Sequence, residues 1–180
     1  MTLANKVTLL RILCIPLFLI LLLNQKFQPA ALLLLLCVLT DALDGSIARY
    51  FKQKTPLGSF LDPLADKLLL LGTFGALTHM KVTAPWIFVM ILSRDVLVLL
   101  GWIILYFLTG SITISPRMLG KVTIASQMFY ALCLLLEMAF SVVPKSLLQL
   151  LLVLSMALTA SSMLDYLWTG SRVLSRSGKA

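Results

Sequence analysis

The sequence predicts an all-α integral membrane protein with six transmembrane helices and both termini on the cytoplasmic side. Of its 180 residues, 60% are hydrophobic and 12% are charged, and the mean hydropathy is +1.02. Soluble domains typically contain about 45–50% apolar and about 25% charged residues. The composition therefore excludes a soluble enzyme, a disordered chain and a secreted disulfide scaffold, and the length predicts a single domain over 1–180.

Six apolar stretches are each long enough to cross a bilayer, whose hydrocarbon core is about 30 Å thick and needs roughly 20 helical residues. The predicted spans are 7–23, 30–50, 59–79, 85–107, 119–140 and 146–167. Polar or proline-containing segments separate them, at 24–29, 52–56, 81–85, 110–116 and 144–145. We therefore expect six helices that alternate in direction.

The distribution of basic residues predicts how these spans are oriented. With a cytoplasmic amino terminus, eleven of the fifteen Lys and Arg residues fall on the inner side, while the outer loops keep Lys26, Lys81 and Lys145. This is the positive-inside pattern of an inner-membrane protein. The net charge of +8 is therefore assigned to anionic lipid headgroups rather than to nucleic acid. A flexible tail near those headgroups is predicted around Arg172, Arg176 and Lys179.

Four of the seven acidic residues fall within 26 consecutive positions, and they are Asp41, Asp44, Asp62 and Asp66. Spacings of three and four residues place each pair on one face of its helix. An acid near the centre of a span costs roughly 2.5–3.5 kcal/mol, so four together need a positive counter-charge. Because carboxylates are hard oxygen ligands, the sequence predicts Mg²⁺ or Mn²⁺ here, and four carboxylates could bridge two such ions.

Small residues accompany the acids on the same helical faces, namely Gly45, Ala48, Gly58 and Ala65. They are consistent with close packing of two membrane helices. Beside a metal site they would also leave room for a bulky ligand. Arg49, which is always charged and fork-shaped, is suited to bind a phosphate group on such a ligand.

These residues form a pattern with fixed spacing: Asp41-x-x-Asp44-Gly45-x-x-Ala48-Arg49, followed by Gly58, Asp62 and Asp66. In every position the pattern resembles the signature of the CDP-alcohol phosphotransferase family. The resemblance implies transfer of a phosphatidyl group from CDP-diacylglycerol to an alcohol, with release of CMP at the cytoplasmic leaflet. It also suggests a homodimer.

The same resemblance implies a role for each residue of the pattern. The four aspartates would hold two divalent ions, and Asp66 would also be the general base that takes the proton from the acceptor hydroxyl. Binding of the cytidine diphosphate would fall to Gly45, Ala48, Arg49 and Gly58, with Asn5 and Thr8 of the first span also assigned to the donor.

Two further segments bear on the acceptor. Asn5-x-x-Thr8-x-x-Arg11 and residues 60–67 resemble bacterial members that make phosphatidylglycerophosphate from glycerol 3-phosphate. Residues 93–96 are instead similar to members that make cardiolipin from phosphatidylglycerol. Candidates for binding a phosphorylated acceptor are Arg94, Arg117 and Lys121. Arg94 could equally form a structural ion pair with the adjacent acid, and Lys121 could extend to the headgroups.

Acids inside spans also mark ion pathways, so the alternative from a different class is a divalent-cation or proton transporter. A transporter predicts acids spread through the bilayer depth and a second, related half with broken helices. Here the four aspartates gather at one cytoplasmic corner, which favours the enzyme.

Overall fold

The computed structural model is all-helical in the residues it describes. It describes the backbone of residues 3–50, 56–109 and 118–177, and the side chains of residues 10–40, 64–101, 103 and 118–169. The helices are α1 (Leu3–Leu23), α2 (Phe27–Tyr50), α3 (Pro56–His79), α4 (Pro85–Thr109), α5 (Met118–Phe140) and α6 (Lys145–Ser177). Each predicted span lies within one of these helices, so the all-α prediction is confirmed for the described residues.

The turn after α1 illustrates how short connections reverse the chain. Gln25 adopts a left-handed backbone conformation, with φ of 58°. Its N–H donates to the carbonyl of Leu22 at 2.9 Å, and the N–H of Lys26 donates to the carbonyl of Leu21 at 3.0 Å. This Schellman arrangement satisfies the last carbonyls of the helix. Helix α3 ends in the same way, at Lys81 with φ of 60°.

The chain divides into two units. Unit 1 comprises Met1–Thr83 and Ala131–Lys145, and unit 2 comprises Ala84–Tyr130 and Ser146–Ala180. Helix α5 therefore contributes its first half to unit 2 and its second half to unit 1.

In unit 1, α1 packs against both α2 and α3. The buried face of α1 carries Arg11, Ile15, Phe18 and Leu22, at the spacing of one helical stripe. Its outer face exposes Leu10, Leu13, Leu17 and Ile20. Helix α3 comes close to α1 at Gly72, where a Cβ atom would lie 3.1 Å from the side chain of Leu19.

In unit 2, several polar side chains lie inside and many large apolar ones lie outside, although Ile87, Ile91 and Met156 are buried. Helix α6 buries Ser155, Thr159 and Ser162, whereas it exposes Leu150, Val153, Leu154 and Leu164. Helix α5 buries Thr123 and Gln127. Soluble proteins have the opposite arrangement. The pattern suits an apolar environment, where small and polar residues mediate contacts between helices.

Two helices in the described part of the chain are long and apolar enough to cross a membrane, Met118–Phe140 and Lys145–Thr169. The 23 residues of α5 extend about 35 Å. This exceeds a hydrocarbon core of about 30 Å. Shorter apolar helices run over Leu10–Leu23 and Phe27–Thr40. Helix length and exposed apolar side chains together indicate a membrane protein.

Helix α6 is longer than the sequence pattern predicted. It continues through Ser177, ten residues beyond the predicted end of the span at 167. Arg172 and Arg176 therefore lie in a helix, and the prediction of a flexible segment was wrong for them. Hydropathy detects the apolar part of a helix, whereas backbone hydrogen bonding continues through polar residues until a residue such as proline stops it.

Candidate active site

The four aspartates of the signature lie on two helices of unit 1. Asp41 and Asp44 belong to the second half of α2, and Asp62 and Asp66 belong to the first half of α3. Both helices are continuous at these positions, which the prediction of one shared face for each pair requires. Because α1 packs against both α2 and α3, the two pairs lie on helices with a common neighbour.

Most of the predicted donor and metal site falls outside the described side chains. This applies to Asp41, Asp44 and Asp62, and to the donor-binding candidates Asn5, Thr8, Gly45, Ala48, Arg49 and Gly58. Their backbone lies in α1, α2 and α3.

Asp66 is the predicted site residue whose side chain the structure describes in this region. Its Oδ1 atom accepts a hydrogen bond from Nη1 of Arg11 at 3.0 Å, across 55 positions of sequence. The carboxylate is partly open, with 35% of its surface exposed, whereas the guanidinium is 4% exposed. The buried guanidinium of Arg11 therefore holds one oxygen of the Asp66 carboxylate, and the carboxylate stays partly accessible.

Arg11 was not among the site residues predicted from the sequence. It occupies the buried stripe of α1 together with Ile15, Phe18 and Leu22. A signal was available, because a basic residue on the core-facing stripe of an apolar helix requires an acidic partner. The identity of that partner depends on how α1 and α3 pack, which no local pattern specifies.

The chemistry of the aspartates fits a divalent cation. Carboxylate oxygens are the ligands that Mg²⁺ and Mn²⁺ prefer. Arg11 supplies a single positive charge beside Asp66, which does not balance four carboxylates. Among the described side chains no group of three or more His, Cys, Asp or Glu residues is positioned to hold a metal ion. Three of the four predicted ligands lie outside that part of the chain.

In unit 2, Arg94 of α4 is enclosed by polar groups from three helices. Its Nη1 atom binds Oδ1 of Asp95 at 2.7 Å, and the side chains are 4% and 9% exposed. Nη2 lies 3.3 Å from Oγ of Ser162 on α6 and 3.5 Å from the carbonyl oxygen of Gly120 on α5. The guanidinium also lies 5.8 Å from the centroid of the Tyr166 ring. The ion pair considered from the sequence is therefore present.

Gly120 makes this enclosure possible. A Cβ atom at that position would lie 2.8 Å from Nη2 of Arg94 and 3.4 Å from Oη of Tyr166. The absence of a side chain thus lets the guanidinium reach the backbone of α5.

The same face of α5 continues as a polar contact with α6. Nε2 of Gln127 donates to Oγ1 of Thr159 at 2.7 Å, and both side chains are buried. Oγ1 of Thr123 lies 2.8 Å from the carbonyl oxygen of Leu119 in its own helix and 3.2 Å from that of Leu158 on α6, so its one proton is shared between these acceptors. Hydrogen bonds of this kind hold helices together where no water competes for the donors.

The remaining acceptor candidates occupy different environments. Lys121 follows Gly120 in α5, and its side chain is exposed. Arg117 precedes α5 and lies outside the described residues. Of the three predicted cations, Arg94 is thus the enclosed one and Lys121 the exposed one.

Comparisons with known proteins show similarity to one enzyme family. A family model for CDP-alcohol phosphatidyltransferases matches residues 1–161. A CDP-diacylglycerol–glycerol-3-phosphate 3-phosphatidyltransferase of Aquifex aeolicus (strain VF5) is 32% identical over 183 residues, which cover 97% of this chain and 98% of that protein. The Bacillus subtilis (strain 168) protein of the same name is 33% identical over 75% of this chain and 77% of its own length.

This chain is also similar to proteins that carry a different name, cardiolipin synthase. A cardiolipin synthase (CMP-forming) of Streptomyces coelicolor is 35% identical over 105 residues, which cover 55% of this chain and 49% of that protein. The family model and the A. aeolicus relative both span most of the sequence, including the aspartate signature. The chain therefore belongs to the CDP-alcohol phosphatidyltransferase family.

Proposed function

We propose that this protein transfers the phosphatidyl group of CDP-diacylglycerol to glycerol 3-phosphate, forming phosphatidylglycerophosphate and CMP. The observation that carries the proposal is the match to the A. aeolicus protein of that activity over 97% of this chain and 98% of the relative. Membership of the family favours an enzyme over the divalent-cation or proton transporter that the intramembrane acids alone would allow.

The reaction exchanges one phosphorus–oxygen bond for another. The acceptor's hydroxyl oxygen bonds to the lipid phosphorus, the bond from that phosphorus to the oxygen of CMP breaks, and the hydroxyl proton goes to Asp66. A general base must be within reach of the proton it removes. The partly open carboxylate of Asp66, held at one oxygen by Arg11, supports this assignment.

Four residues would hold two Mg²⁺ or Mn²⁺ ions, and they are Asp41, Asp44, Asp62 and Asp66. Bound divalent ions would stabilise negative charge on the diphosphate and on the departing CMP. The support is the hard oxygen donor set and its placement on two helices that share α1 as neighbour.

The nucleotide end of the donor would bind to Gly45, Ala48, Arg49, Gly58, Asn5 and Thr8. The small residues leave room for the diphosphate, and the arginine can bind its oxygens in a bidentate manner. The acyl chains of the donor would stay in the bilayer.

The phosphate of the acceptor needs cations of its own, and we keep Arg94, Arg117 and Lys121 for this site. Because Nη1 of Arg94 is already bonded to Asp95, we assign direct contact with the acceptor phosphate to Lys121 and Arg117. Arg94 would support this site without contacting the phosphate. Exposure of Lys121 and enclosure of Arg94 support this division.

The membrane arrangement is part of the same proposal. All six helices would span the inner membrane as one domain over 1–180, with both termini and the aspartates on the cytoplasmic side, and the chain would form a homodimer. The basic residues that predict this orientation and the leucines exposed on α1 and α6 support it.

A second activity has specific support. Residues 93–96 resemble cardiolipin-forming members, and the S. coelicolor relative carries that name. In this alternative the acceptor is phosphatidylglycerol and the product is cardiolipin.

One assay separates these activities. Purified protein receives CDP-diacylglycerol and Mg²⁺, and CMP release is followed with glycerol 3-phosphate, phosphatidylglycerol, inositol phosphate or serine as the acceptor. We expect release only with glycerol 3-phosphate, and none after addition of a chelator. Release only with phosphatidylglycerol would establish the alternative, and absence of release with every acceptor would contradict the enzyme assignment.

A further inference from the structure

The described residues contain two arginine–aspartate pairs that differ in exposure. Arg94 and Asp95 are neighbours on one helix, and both side chains are closed, at 4% and 9% exposure. Arg11 and Asp66 join two helices, and only the arginine is closed, at 4% against 35% for the acid. Both side chains of the first pair are buried, whereas in the second pair a buried arginine binds a partly exposed aspartate.

A charged side chain at the buried position of Arg11 costs free energy that an apolar side chain would not. It continues a buried stripe otherwise made of Ile15, Phe18 and Leu22. Removing a guanidinium from water costs several kcal/mol, and a well-packed apolar side chain often stabilises such a site as well or better. The charge therefore has a use at this position that packing does not provide, and among the described side chains it binds Oδ1 of Asp66 at 3.0 Å.

We propose that Arg11 is a positioning residue, which holds Oδ1 of Asp66 from α1 and thereby fixes the orientation of the carboxylate toward its exposed side. This inference rests on the proposed function, in which Asp66 binds metal and accepts the acceptor's proton. A carboxylate otherwise rotates about its terminal torsion, which is broad in Asp. A hydrogen bond from the main body of unit 1 removes that freedom.

The guanidinium suits this task better than an ammonium group would. Its donors lie in a rigid plane, so a bond to one oxygen also defines the direction of approach, whereas the lysine ammonium rotates freely. Arg11→Lys should therefore restore the charge and only part of the orientation.

The test compares Arg11→Met and Arg11→Lys with Ile15→Ala, a matched control one helical turn along the same buried stripe. Misplacement of a catalytic group by about 1 Å can cost about 100-fold in rate, so we expect Arg11→Met to lower kcat by at least about 30-fold while KM for both substrates changes less than about threefold. Arg11→Lys should recover about a tenth of the wild-type kcat and remain clearly below the wild-type value. Ile15→Ala should lower thermal stability with little change in kcat.

Binding of Mn²⁺ alone, measured by titration calorimetry, gives a readout that does not depend on turnover. Loss of a partner that orients a metal ligand typically weakens metal affinity by about 10- to 100-fold. We expect such a decrease in Arg11→Met and a smaller one in Arg11→Lys. If Arg11 merely balanced charge, its removal would strengthen Mn²⁺ binding. Unchanged or stronger binding in Arg11→Met therefore overturns the inference, as does an unchanged kcat.

The outcomes separate this inference from the function on which it rests. An inactive Asp66→Asn protein together with a fully active Arg11→Met protein would reject only the role of Arg11. Turnover retained in Asp66→Asn would reject the proposed base, and with it the inference. If Arg11→Met does not fold, Arg11→Lys decides, and wild-type kcat and Mn²⁺ affinity in that variant would contradict the requirement for a planar donor.

Discussion

A Cβ atom on Gly120 would lie 2.8 Å from Nη2 of Arg94, closer than real Cβ atoms approach other heavy atoms in proteins. The contact joins α5 to α4 at a buried charge, so it cannot relax as easily as a contact with a flexible aliphatic tip. The packing of unit 2 at this level therefore depends on the smallest residue.

Gly120→Ala should lower the free energy of unfolding by about 1–3 kcal/mol, as overpacking of a buried contact does. Gly101→Ala on α4 is the matched control, because in the described part of the chain no heavy atom beyond its neighbours and its own helix backbone lies within 4 Å of its added Cβ. There alanine should be neutral or stabilising by up to about 1 kcal/mol, owing to its better helix propensity. Unfolding in mixed detergent micelles measures both. Equal effects at the two glycines would contradict the close approach.

Arg94→Met should destabilise the protein by about 3–5 kcal/mol, because it leaves the buried Asp95 without the guanidinium charge. The double variant Arg94→Met/Asp95→Leu should recover most of that loss, since an apolar pair needs no charge compensation. Unfolding in mixed micelles gives the comparison. A double variant no more stable than Arg94→Met would argue against an ion pair that acts as a unit.

Asp66→Asn should reduce CMP release by at least about 100-fold, because the amide cannot take the acceptor's proton. Binding of Mn²⁺ and of the donor should persist in part, since the side chain keeps one oxygen. Single-turnover CMP release together with Mn²⁺ titration checks both statements. Retained turnover would remove Asp66 from the proposed mechanism.

Lys121→Met should raise KM for glycerol 3-phosphate about tenfold, the loss of about 1.4 kcal/mol expected for a charge-assisted hydrogen bond to phosphate. KM for CDP-diacylglycerol should stay unchanged. Lys26→Met serves as control, because Lys26 is also exposed but lies in the turn between α1 and α2. A change in both KM values, or an equal change in the control, would count against acceptor binding at Lys121.

The sequence allowed the helices to be predicted because their limits are marked locally. Pro56 and Pro85 are the first residues of α3 and α4, a position where the missing N–H of proline is harmless. The continuation of α6 to Ser177 was not predicted, because the span was defined by its apolar run, which ends ten residues before the helix does.

Contacts between side chains could be predicted only where the two residues are neighbours in the sequence. Asp95 follows Arg94, so an ion pair was an evident alternative, and it is present. The partner of Arg11 lies 55 positions away. The sequence showed the segment Asn5-x-x-Thr8-x-x-Arg11 and the signature that contains Asp66, but the contact between Arg11 and Asp66 depends on the rotation and depth of α1 against α3.

Two hydroxyls on α6 affect how the chain can assemble. Ser155 and Thr159 donate to carbonyls of their own helix, at 2.9 Å to Leu152 and 2.7 Å to Ser155. These two donors are thus satisfied within α6 itself. Gln127 on α5 instead donates to Thr159. Since α5 is synthesised before α6, the side-chain amide of Gln127 acquires this partner only after the ribosome has made α6.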